Sequence, residues 1–186
     1  EPYADMRLME AEVQQSGLRW TIVRPPAIYG PGDREMLDLF RMARRGFMLL
    51  PPGGRLSVIE VGDLARLLLA LADDRHASLT QVYEVDDGTP NGWDHRDFGL
   101  ALGQALGRRV KTWSTPRWLL NVGAFVDRTL RGRNAKLTAD RVRYFCHPDW
   151  VSAPTAAPPA KLWTPGIETR DGLRATAAAY RTKGWL

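Results

Sequence analysis

The chain has 186 residues, of which 44% are hydrophobic and 25% charged, with a formal net charge of +5 at pH 7. This composition is typical of a globular protein, and the length suits one domain whose core buries roughly 70% of the unfolded surface. No apolar run approaches the roughly 20 residues that span a bilayer, so we expect no membrane partner.

The first part of the chain alternates between helix and strand patterns. Apolar residues recur at helical spacing over residues 5–16 and 34–45, and strand patterns occupy residues 19–24 and 56–61. Residues 64–71 are almost wholly apolar, so we expect a buried helix there.

The second part continues the alternation. Strands are expected over residues 81–85 and 110–113. Helices are expected after caps at Asp94, Thr138 and Thr169, and another follows Pro116 as far as about residue 130. Residues 152–160 are rich in Ala and Pro and indicate a flexible surface connection. Together these patterns predict an α/β protein.

The most informative segment is residues 24–33, with the sequence RPPAIYGPGD. Pro25 and Pro26 should end the preceding strand, because proline cannot donate to a strand ladder. Gly30 and Gly32 allow the backbone to turn closely around a neighbour. A loop that leaves the carboxyl end of a strand in an α/β sheet is where ligands usually bind.

This segment resembles the R-P-x-x-[VI]-Y-G-P-G-D sequence of the extended short-chain dehydrogenase/reductases, the NAD-dependent epimerase/dehydratase group. Residues 55–65 resemble the family's R-x-S-x-[IV]-x-V-x-D-[LV]-A segment, although Glu60 replaces a common His. Residues 82–88 resemble its V-Y-x-V-x-D-G strand and turn, and residues 162–186 resemble its C-terminal W-x-P, G-L-x-x-T, Y-R and G-W-L motifs. The resemblance covers essentially the whole chain.

The resemblance implies the C-terminal part of a Rossmann-like, doubly wound parallel sheet, followed by a small, mostly helical substrate-binding region. Residues 1–75 would hold the last Rossmann helices and strands, and residues 76–186 the substrate side. The chain has no G-x-x-G-x-x-G phosphate loop and no initiator Met. We therefore expect a dinucleotide-binding half upstream, and NAD or NADP as the cofactor.

The family's catalytic pair is a Tyr and a Lys four residues later on one helix, a spacing that puts both on one face. The lysine lowers the pKa of the phenol and holds the nicotinamide ribose. Tyr3 and Arg7 have this spacing here, and Arg is not equivalent to Lys because it cannot deprotonate. Counting back from the helix end instead puts Met6 at the lysine position, and Tyr3 is then an ordinary first-turn tyrosine.

The resemblance also implies binding residues in the other motifs. The backbone of Pro25, Pro26, Ala27 and Ile28 would hold the nicotinamide carboxamide, unless this loop is a purely structural turn. Tyr29 would point toward the substrate or pack under the loop.

Two arginines of these motifs have alternative roles. Arg55 resembles the arginine that grips substrate phosphates in nucleotide-sugar relatives, or is an ordinary surface arginine. Arg24 is expected to anchor a carboxylate or carbonyl inside the fold.

Other chemistries find less support. His76, His95 and His147 lack metal-type spacing, and no serine lies in a nucleophile-elbow pattern. The basic residues Arg128, Arg131, Arg133 and Lys136 form too small a patch to predict nucleic-acid binding.

The lone Cys146 excludes an intramolecular disulfide, and the chain shows no signal peptide, so we expect the cytoplasm.

The sequence thus predicts the substrate side of an NAD(P)-dependent oxidoreductase or epimerase/dehydratase. The alternative is a non-catalytic descendant that acts in binding or assembly, since the expected lysine and phosphate loop are absent. We expect a small-molecule substrate, and association with the missing half or with a second copy, because lost upstream strands would leave a sheet edge exposed.

Overall fold

The computed structural model describes residues 2–73, 80–132, 135 and 137–186, with side chains from Met6 onward. Within these residues the chain forms an α/β fold. Its helices are α1 Pro2–Gln15, α2 Leu37–Arg44, α3 Val61–Asp73, α4 His95–Ala105, α5 Arg117–Arg131, α6 Ala139–Phe145 and α7 Thr169–Thr182. Its strands are β1 Thr21–Arg24, β2 Ala27–Tyr29, β3 Phe47–Leu50, β4 Arg55–Leu56, β5 Val58–Glu60, β6 Gln81–Glu84, β7 Trp93–Asp94, β8 Lys111–Ser114 and β9 Asp149–Trp150.

Most strand pairs are parallel, as an α/β protein requires. β1 pairs with β6, β2 with β5, and β3 with β8, each in parallel. The short β4 lies between antiparallel β7 and parallel β9. Parallel neighbours need long crossover connections, which here contain helices. The predicted fold class is confirmed.

The larger of two hydrophobic clusters joins distant parts of the sequence. Phe40 of α2 and Tyr180 of α7 are fully buried and meet edge to face, with ring centroids 5.2 Å apart. Met48 of β3, Leu102 of α4 and Leu173 of α7 are buried in the same cluster. The regions before and after residue 75 therefore share one core.

Side-chain caps fix several helix starts where the sequence predicts them. The Asp94 carboxylate accepts the N–H of Arg96, and the Thr138 hydroxyl accepts that of Arg141. The prediction for α7 is wrong by one residue, because Glu168 is the cap. Thr169 instead begins the helix, is buried, and donates its hydroxyl to the Asp87 carboxylate.

Two expectations about residues 56–73 need correction. The strand predicted over 56–61 divides into β4 and β5, which belong to different sheets. The apolar helix α3 is not buried all round, because Leu68 and Leu69 are 50% and 71% exposed. Its inner side alone packs on the protein, through Leu64 and Leu67.

The stretch 152–160 is more ordered than its composition predicts. It includes a short 3₁₀ helix, Pro154–Ala156, and the N–H of Ala153 donates to the Glu84 carboxylate at 2.8 Å. This polar contact holds the connection against the end of β6.

Candidate functional site

The candidate site lies at the carboxyl end of β1, beside its parallel neighbour β6. β1 ends at Arg24, as the two following prolines predict, and the chain re-enters a sheet as β2. Pro25 and Ala27 are exposed, Pro26 is half-buried and Ile28 is 38% exposed. The four residues expected to hold a nicotinamide therefore form an accessible, largely apolar edge at the end of a parallel strand.

Arg24 connects three elements at this edge. Its guanidinium pairs with Glu10 of α1 at 2.6 Å and with Glu84 of β6 at 3.4 Å. Hydrogen bonding to Arg24 holds the pKa of Glu10 below its ordinary range. The role predicted for Arg24, anchoring a carboxylate, is confirmed.

This ion pair also orients α1. Positions 3, 7 and 10 are separated by four and three residues, so they follow one another along a single helix face. Arg7 is exposed, and its charge also lowers the pKa of Glu10. The pair of Glu10 with Arg24 attaches α1 to the end of β1. The side chain of Tyr3 lies outside the described part of the structure.

Tyr29 is fully buried and lies beneath α7. Its hydroxyl is 3.4 Å from the Thr169 carbonyl oxygen, to which it donates, and burial raises the pKa of the phenol. A Cβ at Gly172 would lie 2.7 Å from that hydroxyl, so only glycine lets the helix approach. Tyr29 thus packs under the loop, one of its two predicted positions.

The rest of the segment is also held by the protein itself. A Cβ at Gly30 would lie 2.4 Å from Cγ1 of Val61, so this glycine permits close backbone approach. The Asp33 carboxylate accepts the N–H groups of Glu35 and Met36 at 2.9 Å and so begins α2. Tyr29, Gly30 and Asp33 are therefore held by the protein itself, whereas Pro25, Ala27 and Ile28 are exposed.

Arg55 lies in a different place, on β4. Its Nε donates to the Asn91 carbonyl oxygen at 2.5 Å, and one terminal nitrogen donates to that of Gly92 at 3.0 Å. It lines an open groove of about 410 Å³ together with Arg170, Trp93, Asp94 and Asp97. No described contact therefore links Arg55 to the accessible edge at residues 25–28.

A polar network behind β5 was not singled out as functional by the sequence. Ser57 is buried and donates its hydroxyl to the Asp86 carboxylate at 2.7 Å, while the Ser152 N–H donates to the Ser57 hydroxyl at 3.2 Å. The Ser152 hydroxyl donates to the Val85 carbonyl oxygen. Ser57 and Asp86 lie within two of the motifs described above, and this was the one sequence feature that could have identified them.

Asp87, the other aspartate of that turn, ties three segments together. Its carboxylate accepts the indole N–H of Trp93 at 2.7 Å, the hydroxyl of Thr169 and the N–H of Thr89. The same residue's N–H donates to the Val58 carbonyl oxygen. This aspartate connects β5, β7 and α7 beneath the site.

The described residues hold neither a metal-binding cluster nor a helix that could span a membrane. They contain no group of three or more His, Cys, Asp or Glu side chains that could hold a metal ion, and His76 lies outside them. Among the same residues, no helix is long and apolar enough to cross a membrane.

Comparison with known proteins finds a related sequence. The chain is 31% identical over 188 residues to a ceramide reductase of Caulobacter vibrioides, an alignment that covers 98% of this chain and 58% of that protein. No family model matches the chain. The chain thus spans little more than half the length of the curated relative that it matches.

Solved structures share the fold at low sequence identity. A human epimerase family protein, SDR39U1, solved with NADPH, matches with a TM-score of 0.63 and 19% identity over 86% of this chain and 48% of its own. UDP-glucose 4-epimerase of Thermotoga maritima, solved with UDP-glucose, matches with a TM-score of 0.59 and 17% identity over 97% of this chain and 52% of its own. UDP-glucuronic acid 4-epimerase of Bacillus cereus, solved with NAD, matches with a TM-score of 0.60 and 13% identity over 96% of this chain and 50% of its own.

Proposed function

We propose that this chain, which is related to the extended short-chain dehydrogenase/reductases, forms the substrate side of an NAD(P)-dependent oxidoreductase. Its substrate would be a lipid with a carbonyl or hydroxyl group, of the class to which ceramide belongs. The relationship to a ceramide reductase over 98% of this chain supports that class. Residues 1–75 would contribute the cofactor side of the fold and residues 76–186 the substrate side.

The observation that carries the proposal is the Glu10–Arg24 ion pair. It attaches α1, the helix that carries Tyr3 and Arg7, to the end of β1, next to the accessible residues Pro25 to Ile28, and so supports a role for these two residues at that edge. A proton donor and an apolar ligand edge at one end of a parallel strand are the arrangement that carbonyl reduction needs.

The residues at this edge fit one end of a dinucleotide. Pro25, Pro26, Ala27 and Ile28 expose apolar side chains, and such a surface suits the face of a flat nicotinamide ring. Arg7 is exposed on α1 and offers donors for a ribose or a phosphate. When bound, NAD(P) would supply or accept the hydride.

Tyr3 and Arg7 would handle the proton. The Tyr3 phenol would donate its proton to the carbonyl oxygen of the substrate as that carbon is reduced. The positive charge of Arg7 one turn away would stabilise the phenolate and lower its pKa. Arg7 stays charged throughout, so it would act through its charge alone and would not relay the proton.

The hydrogen bonds of Arg55 also bear on the class of substrate. In a nucleotide-sugar enzyme an arginine at this motif position would face substrate phosphates. Here two of its N–H groups already donate hydrogen bonds to the carbonyl oxygens of Asn91 and Gly92. This engagement favours a substrate without a diphosphate, so Arg55 and Tyr29 support the wall of the substrate region from behind.

The dinucleotide phosphates would be held by a separate half, on this or another polypeptide. Large apolar side chains are exposed on α1 and on α3, and they are Met6, Leu8, Met9, Val13, Leu68 and Leu69. Exposed apolar patches of this kind usually mark an interface. We assign this surface to the dinucleotide-binding half, with a second copy of the chain as the other occupant to be tested.

The test has two stages. NADH and NADPH are titrated against the purified protein by fluorescence, and reduction of a ceramide-like ketone is followed with the cofactor that binds. Tyr3→Phe should reduce kcat by at least about a hundredfold, the usual range for a lost general acid. Arg7→Lys should keep most activity and Arg7→Ala should lose it, while Arg45→Ala, an exposed arginine at the end of α2, serves as the matched control.

The alternative is a non-catalytic protein that keeps this fold for binding or assembly, motivated by Arg7 in place of the family's lysine. Absence of NADH and NADPH binding by the protein together with its dinucleotide-binding half would favour that alternative. Full activity of Tyr3→Phe would remove the proposed role of Tyr3.

A further inference from the structure

The ends of helices α2, α4 and α7 meet around a cavity that is lined by arginines. Arg44 is the last residue of α2, Arg108 lies three residues after the end of α4, and Arg181 lies in the last turn of α7. The cavity measures about 380 Å³, and we name it the arginine cavity. Its lining residues are Arg44, Leu106, Arg108, Arg181 and Leu186, with no acidic residue of the described chain among them.

The packed ends of the helices hold these arginines in place. Gly107 has a φ of 68°, which turns the chain at the end of α4, and the N–H of Arg108 then donates to the last turn of that helix at 2.9 Å. A terminal nitrogen of Arg181 donates to the Leu106 carbonyl oxygen at 3.1 Å and so ties α7 to α4. Ala43, the residue before the end of α2, is fully buried in the larger hydrophobic cluster. The cavity is therefore built on elements that the core fixes.

The positive charge of the cavity is not compensated by its surroundings. Arg44 and Arg108 are exposed, and within the described part of the chain neither guanidinium pairs with a carboxylate. The segments that supply the three arginines contain no Asp or Glu over residues 39–59, 98–126 and 172–186. Two of the three guanidinium groups are thus available to a ligand.

Arginines at helix ends have an ordinary role, which accounts for only part of this charge. The carboxyl end of a helix carries roughly half a negative charge, and a nearby cation stabilises it. The three helix ends together carry about −1.5 charges, whereas the three guanidinium groups carry +3. Roughly half of the positive charge therefore remains after the helix ends are compensated.

We propose that the arginine cavity binds the phosphate group of an organic phosphate. The planar fork of a guanidinium group matches two phosphate oxygens at once. A phosphate monoester offers three strong acceptor oxygens and up to two negative charges, whereas a carboxylate offers two oxygens and one charge. Three arginines around one cavity therefore fit a phosphate better than a carboxylate. Leu106 and Leu186 add apolar lining, and the volume lies in the range of small-molecule sites, so an organic group fits beside the phosphate.

The arginine cavity is separate from the candidate site at residues 25–28. It lies just before the first residues of the parallel pair β3 and β8, whereas the candidate site lies at the carboxyl end of β1, and no described contact links the two. The inference rests on the cavity alone and does not depend on the proposed enzymatic function. Two sources supply the same phosphate chemistry, a free organic phosphate and the headgroup of an anionic phospholipid, and the experiment separates them.

The experiment titrates glycerol 3-phosphate into the purified protein and follows the backbone amides by NMR, with glycerate as the matched carboxylate. We expect the largest shifts in residues 106–109, and binding of glycerol 3-phosphate at least about tenfold tighter than that of glycerate. Arg44→Gln with Arg108→Gln should weaken the binding of glycerol 3-phosphate by at least about tenfold, because two charged donors are lost.

Arg96→Gln with Arg174→Gln is the matched control. It removes the same charge from the first halves of α4 and α7, away from the cavity, and should bind glycerol 3-phosphate as the unmodified protein does. Circular dichroism verifies that each variant keeps the fold.

Co-sedimentation with vesicles of phosphatidylcholine, with and without phosphatidylglycerol, identifies the source of the phosphate. Binding to phosphatidylglycerol vesicles that the Arg44→Gln, Arg108→Gln variant loses would assign the cavity to a lipid headgroup. Binding of glycerol 3-phosphate alone would assign it to a free organic phosphate. Equal binding by the cavity variant and its control, equal affinity for glycerate, or no binding of either phosphate probe would overturn the proposal.

Discussion

Helices α2, α4 and α7 differ from helices α1, α3 and α5 in where their large apolar residues lie. The first three bury theirs in one cluster, with Phe40, Leu102 and Tyr180 almost wholly removed from solvent. The other three keep Met9, Leu69 and Phe125 mostly exposed. Hydrophobic content alone therefore does not show which helices stabilise this fold.

This contrast assigns different tasks to the two sets. The buried set packs against β2 and β3. Through these contacts it fixes the second half of the segment 24–33. The exposed set carries apolar surface that costs free energy in water unless another molecule covers it. We propose that the dinucleotide-binding half covers the exposed faces of α1 and α3.

The largest expected effect comes from truncating one phenylalanine in each set. Phe40→Ala should lower the free energy of unfolding by about 3–5 kcal/mol, because it leaves a cavity beside Tyr180 in a packed core. Phe125→Ala should change it by less than about 0.5 kcal/mol, since the ring is 72% exposed. Urea unfolding measures both, and similar losses would break the comparison.

A second prediction concerns α3, whose inner side is held by a polar anchor as well as by leucines. Asp63 is 1% exposed, and its carboxylate accepts the N–H groups of Gly166 and Ile167 at 3.0 Å and pairs with Arg66. Asp63→Ala should cost about 2–3 kcal/mol, because the N–H groups of Gly166 and Ile167 lose a buried, charged acceptor.

Asp73→Ala, at the exposed end of the same helix, should stay within about 0.5 kcal/mol. Equal unfolding midpoints for the two variants would show that α3 is not anchored through Asp63.

The smallest effect on stability is expected at α1. The Arg24 and Glu10 side chains are 47% and 24% exposed, so solvent screens their ion pair, and Glu10→Gln should cost less than about 1 kcal/mol. Its consequence should be local: the amides of α1 should exchange hydrogen faster while those of α7 do not change. A uniform increase in amide exchange along the whole chain would contradict a local role of this ion pair.

The same pair gives a pH dependence. Hydrogen bonding to Arg24 lowers the pKa of Glu10 from 4.5 in the folded state, so the carboxylate favours folding above the unfolded pKa. That contribution is lost as the pH falls through the lowered folded-state pKa. The attachment of α1, followed by hydrogen exchange, should therefore weaken below about pH 4.5 and remain constant above it. Glu10→Gln should remove this dependence.

Local signals in the sequence predicted much of the fold. The predicted α/β class is confirmed by the parallel strand pairs, and the solved structures share its fold. The caps at Asp94 and Thr138 were found because a cap depends on residues three or fewer positions away. β2 and β3 were missed, since strands of three and four residues beside prolines leave almost no periodic pattern.

The site was predicted less completely. Pro25, Pro26, Ala27 and Ile28 lie at an accessible edge, and their role with the nicotinamide stays a proposal, as do those of Tyr3 and Arg7. Tyr29 and Ile28 alternate on β2, so one must face inward. Which one does so depends on the contact with α7, whose residues lie about 140 positions later.

By itself the sequence determined the order of helices and strands, the helix caps at Asp94 and Thr138 and the family likeness, because these depend on neighbouring residues and short motifs. Only the tertiary structure decided that Tyr29 is buried, that Arg55 is held by backbone carbonyls, and that α3 buries Leu64 and Leu67 but exposes Leu68 and Leu69. Burial depends on which distant segments approach an element, and that is a property of the whole packed chain.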